Sequence, residues 1–115
     1  MAKKSRKRTR SKKVGVRSSS TVQIKNINVP NTKTRINVDK YEVIRRAILA
    51  VVPRSAKGIT FKELPVAVEA WLAEHYKDWA GSVTWYTTTV KLDLEARGMI
   101  ARIEGARPQR VRRLA

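Results

Sequence analysis

Apolar residues recur along this chain with two different periods. From Thr21 to Val38 the period is two: Val22 and Ile24 alternate with polar neighbours, and so do Ile36 and Val38. Successive side chains of a strand point to opposite faces, so this pattern predicts two half-buried strands. Between them, Pro30-Asn31-Thr32-Lys33 is turn chemistry, and 21–38 reads as a β-hairpin. Ile27 and Val29 are out of phase with Val22 and Ile24, and a bulge near Lys25-Asn26 would absorb the slip.

After the hairpin the period becomes helical. Tyr41, Ile44, Ile48 and Val51 lie on one side of a helix that Asp39 opens, with Glu42 completing a capping-box-like start and Pro53 ending it. Arg54–Gly58 is a short polar linker, and Ile59 is expected in a short strand. A second capping box, Thr60-x-x-Glu63, starts a helix that runs to about Tyr76. Pro65 falls in its first turn, where a missing N–H is harmless. Its apolar stripe is Leu64, Val68, Trp71, Leu72 and His75.

A third helix is expected over about 83–97, capped by Ser82 or Thr84 after the loop Lys77–Gly81. Val83, Tyr86, Val90 and Leu94 cover one arc, with Trp85, Thr89, Leu92 and Ala96 beside it. Thr84, Thr87, Thr88, Lys91 and Glu95 gather on the remaining face, which is polar and nearly uncharged. Asp93 and Arg97 fall inside the apolar arc at the i,i+4 spacing that lets them pair. Gly98 supplies the left-handed residue that ends the helix. Met99–Ile103 and Gln109–Leu114 then read as two strands around the turn Glu104–Pro108.

This order of helix, short strand, helix, helix and hairpin is that of a winged helix, an α+β class. It divides the chain into an arm (1–20) and one domain (21–115). The domain comprises the N-terminal hairpin (21–38), a three-helix core (39–98) and a wing (99–114). The turn between the second and third helices is about six to eight residues, longer than the three or four of a strict helix-turn-helix.

Charge adds a partner class to this picture. The chain of 115 residues carries 26 Lys and Arg against 9 Asp and Glu, a formal charge of +17. Such a charge favours polyanions. Lys3, Lys4, Arg6, Lys7, Arg8, Arg10, Lys12, Lys13 and Arg17 make the arm basic, with no acid among them. The arm has little apolar area to offset the entropy of ordering it, so it is expected to be disordered when free. It reads as a nucleic-acid-binding arm; the plainer reading is a solubility arm or a nuclear localisation signal.

The remaining composition excludes more than it assigns. The chain has no cysteine, hence no disulfide or thiolate metal site, and one histidine, His75, cannot make a multi-histidine site. A metal cluster, a glycine-rich phosphate loop and a nucleophile–base pair are all lacking, so neither an enzyme nor a cofactor is expected. No apolar run approaches a membrane span and no secretory signal opens the chain. An intracellular, cytoplasmic protein is expected, nucleoid-associated if bacterial.

The segments Tyr41-Glu42 through Ile48-Leu49-Ala50-Val51, Gly58-Ile59-Thr60 and Trp85 through Val90-Lys91-Leu92-Asp93-Leu94-Glu95-Ala96 resemble a family of small, uncharacterised bacterial winged-helix proteins. The likeness covers about residues 22–113 and leaves the arm outside. It implies a fold and no particular activity.

The expected function is binding of duplex DNA with low sequence specificity through the third helix, the wing and the arm. Thr84, Thr87 and Thr88 are short and suit phosphates or a thymine methyl; Lys91 suits a phosphate or a guanine. Arg102, Arg107, Arg110 and Arg112 of the wing would track the backbone or enter the minor groove. The alternatives are an RNA- or ribosome-associated protein and a winged-helix protein-interaction module. The aromatic residues read mainly as core, with Trp79 the best candidate to stack on an unpaired base, and His75 reads as a structural surface residue.

Overall fold

A computed structural model describes residues 20–29 and 31–114. The basic residues from Lys3 to Arg17, and Pro30 of the expected turn, lie outside the described residues.

The first pair of strands, β1 (Thr21–Gln23) and β2 (Arg35–Asn37), is antiparallel with Val22 opposite Ile36. The phase slip has a different cause from a bulge. Ile24 N–H still donates to Thr34 O, but Lys25 N–H leaves the ladder and donates to Asp93 Oδ1 at 2.8 Å. From there Ile27 and Val29 are exposed. Their phase is therefore free of the sheet.

Strand β2 runs straight into helix α1 (Val38–Val51). Val38, expected in the strand, is the first helical residue. The cap is Asn37, whose side chain accepts from Lys40 N–H at 3.0 Å. Asp39 is thus inside the first turn, where its charge still complements the helix dipole. Glu42 pairs with Arg45 and takes no part in a capping box.

The second capping box is made as expected. Thr60 N–H donates to Glu63 Oε1 and Glu63 N–H donates to Thr60 Oγ1, both at 3.1 Å. These bonds hold the Glu63 carboxyl below its ordinary range. They join β3 (Ile59–Thr60) to α2 (Glu63–His75). Residues 76–82 then lead to α3 (Val83–Ala96), capped by Ser82, which accepts from Trp85 N–H. At its other end Gly98 has φ +77°, Gly98 N–H donates to Glu95 O and Met99 N–H donates to Leu94 O. That is a Schellman stop.

Strands β4 (Ile100–Arg102) and β5 (Arg110–Arg113) complete an antiparallel sheet of order β3-β5-β4. One side of it faces the helices. Ile100 and Val111 are buried there with Ile44, Ala47 and Ile48 of α1, Leu64, Val68 and Leu72 of α2, and Val90 and Leu94 of α3. Burying each large aliphatic side chain is worth roughly 1.5–3 kcal/mol. Gly58 sits where the linker crosses β5 with φ +64°, and a Cβ there would run into the carbonyl of Val111. Only glycine fits both the angle and the space. The protein is a mixed α+β fold of three helices and two small antiparallel sheets in its described part. None of its described helices is long and apolar enough to cross a membrane.

Candidate nucleic-acid interface

The third helix is turned differently from the expectation that its polar residues form one open face. Thr84 is exposed and Thr88 half-buried, but Thr87 is fully buried and Lys91 is 2% exposed. Lys91 Nζ lies 3.1 Å from Glu95 Oε1, donates to Gln109 Oε1 at 2.5 Å and sits 4.6 Å from the centre of the Phe61 ring. Burial holds its ammonium below the ordinary lysine value, with Glu95 opposing the shift. Thr87 Oγ1 is buried without a hydrogen-bond partner. Neither Thr87 nor Lys91 can reach a ligand in this structure, which corrects their assignment as contacts.

The cause is the hairpin β4–β5. Gln109 stands just before β5 and closes over Lys91. Arg102 of β4 takes the other side of Glu95, with Nε 2.5 Å from Oε2 and Nη2 3.3 Å from Oε1. It also donates to Asn28 at 3.2 Å. Arg102, expected to contact nucleic acid, is therefore engaged in holding the hairpin to α3. The Lys91–Glu95 pair stands at i,i+4, the same signal that revealed Asp93 and Arg97. The sequence holds no such signal for Arg102.

Asp93 is fully buried and joins three segments. It accepts from Lys25 N–H, from the Tyr41 hydroxyl at 2.6 Å and from Arg97 Nε at 2.9 Å. The hydrogen bond to Asp93 raises the Arg97 guanidinium above its ordinary value. Burial and the hydrogen bond to Asp93 push the Tyr41 hydroxyl up to about 12.

What α3 does present outward is uncharged: Thr84, Trp85, Thr88, Thr89 and Leu92. Trp85 is 48% exposed. Trp79, the best candidate to stack on a base among aromatic residues read mainly as core, is half-buried and packed against the core. It packs edge-on against Tyr86, its indole N–H donates to Gly81 O, and Lys40 lies over both rings. His75 is exposed and stacked on Trp71.

Cations gather on the other side of the sheet. Val111 of β5 points to the helices, so by alternation Arg110 and Arg112 point away from them. Arg110 Nη1 donates to Lys57 O at 3.2 Å and Arg112 Nη1 donates to Arg54 O at 3.1 Å. Both partners lie on the linker before β3. Arg54 and Lys57 are exposed, as is Arg107 at the turn of the hairpin. The sequence pattern does not by itself mark Arg54 or Lys57 as binding residues. What it shows there is a short linker with two cations and no acid.

No curated protein and no solved structure matches the chain. The profile of a family of unknown function, DUF6958, matches residues 21–111, which span every strand and helix of the described residues except the last two residues of β5. The chain belongs to that family.

Proposed function

We propose that the protein binds duplex DNA with low sequence specificity, as a winged-helix domain carrying a basic arm. The observation that supports this most is charge left unmatched. Residues 21–115 hold 17 basic and 9 acidic side chains, and the arm adds nine more cations. Two of the acids, Asp93 and Glu95, are already buried against Arg97, Lys91 and Arg102. Among the described residues Lys57, Arg110 and Arg112 make no ion pair. Charge of one sign attracts a phosphate backbone whatever its sequence. The winged-helix reading rests on the order α-β-α-α-β-β and on the sheet order β3-β5-β4.

The test is the affinity of the full chain for several unrelated duplexes of about 25 base pairs across a salt series, with structured RNA as competitor. Binding should weaken steeply with salt, with a log–log slope of about −0.9 per phosphate contacted. It should differ little between duplexes. A strong preference for the RNA would move the assignment to RNA, and no binding at low salt would end it.

A further inference from the structure

We infer that the surface of the folded domain that contacts the phosphate backbone is the solvent side of the β3-β5-β4 sheet with the linker before it, formed by Arg54, Lys57, Arg110 and Arg112, and that α3 does not enter the groove. This rests on the proposed binding of duplex DNA and assigns its site.

Three observations carry it. First, the outward residues of α3 bear no formal charge, and its single lysine is sealed behind Gln109 and Phe61. Without an outward cation the helix offers phosphates only the neutral hydroxyls of Thr84, Thr88 and Thr89 and adds nothing to the salt-dependent attraction. Second, Arg110 and Arg112 are two residues apart on one strand face. That sets their backbones roughly 7 Å apart at about 3.4 Å per residue, of the order of the step between successive phosphates. Third, each guanidinium is tethered by one bond to a linker carbonyl. An arginine has five N–H donors in a fixed fork. The tether therefore orients each fork and leaves donors for a phosphate. The tethers also place the backbones of Lys57 and Arg54 beside the two guanidinium groups, and both residues are exposed. Glu63 is the carboxylate that faces this group; it feels Arg110 and Lys57, and both of its hydrogen bonds go to the Thr60 cap.

The sheet separates this surface from the core on which α3 packs, so a variant on one can be read apart from the other. In the full chain, K57Q with R110Q and R112Q should lower the magnitude of the salt slope by about 2–3, one phosphate per cation removed. The charge-keeping pair R110K and R112K should leave the slope unchanged. T84E with T88E, on the outward side of α3, should change affinity by less than about threefold at a salt where separate charges are screened. Circular dichroism melts check that each variant is folded. An unchanged slope in the glutamine variant would overturn the assignment while leaving DNA binding standing. So would equal loss in the lysine variant, or a large loss in T84E with T88E. No binding by the wild-type chain would overturn both.

Discussion

The hydroxyl of Tyr41, on α1, donates to Asp93 Oδ2, on α3, at 2.6 Å, in the interior of the protein. Asp93 also holds Lys25 N–H and Arg97. Removing this carboxylate leaves the buried Tyr41 hydroxyl and the Lys25 amide without their acceptor and breaks the ion pair with Arg97. Asp93→Ala should therefore destabilise the fold by about 3–5 kcal/mol, and Tyr41→Phe by about 1.5–3 kcal/mol. Urea denaturation of the two variants would give the order; equal losses would show that the phenol alone sustains the site.

The same contact sets an alkaline limit. The Tyr41 hydroxyl is raised from 10.0 to about 12, so the folded state keeps a proton that the unfolded chain releases first. A group raised on folding contributes stability below its unfolded value and loses it as the pH climbs to its folded value. Stability should fall between pH 10 and about 12. Tyr41→Phe should flatten that part of the profile in a series of melts across the range.

Lys91 and Glu95 are not equivalent, although both are buried. Without Lys91, Glu95 still has Arg102; without Glu95, a buried ammonium has no carboxylate. Lys91→Met should cost less than about 1.5 kcal/mol, and Glu95→Leu about 3–5 kcal/mol. Thermal melts of the two variants would separate them, and the reverse order would mean that Lys91 is the true anchor.

Thr87 offers a gain. Its hydroxyl is buried without a hydrogen-bond partner, whereas valine has nearly the same shape and no polar atom. Thr87→Val should stabilise the protein by about 1 kcal/mol. A lower urea midpoint would instead reveal that the hydroxyl has a partner in solution.

Two glycines with positive φ should respond differently to alanine. Around Gly98 nothing lies within 4 Å of an added Cβ, so Gly98→Ala should cost only the left-handed penalty of about 1–2 kcal/mol. At Gly58 the same penalty is joined by a clash with the Val111 backbone, and the loss should be markedly larger. Comparison of the two melting temperatures checks this.

The three helices, both hairpins and the Thr60–Glu63 box were legible because each is written in local spacing or local capping. Asn37 and Asp39 are both capping residues, and the sequence does not mark the point where a strand turns directly into a helix, so local spacing favours Asp39 while the structure uses Asn37. The harder loss was the outer side of α3. Sorting residues by angle places Lys91 and Thr87 with Thr84, and polar identity then suggests water. Whether a polar face meets water depends on Gln109 and Phe61, which come from other segments. For the candidate interface, the arginines of β5 were visible in the sequence. Their union with Lys57 and Arg54 was not, because backbone carbonyls make it and these leave no trace in residue type.

The bond from Lys25 N–H to Asp93 also changes what the N-terminal hairpin is. Two strands of three residues are too short to be stable alone. Here their exit is clamped by a carboxylate that belongs to the centre of the protein. The hairpin is thus part of the same cooperative unit as the helices. Its Lys25 amide should exchange with solvent only when the core opens, at the slow rate of Val90 or Leu94 rather than at that of a fraying end.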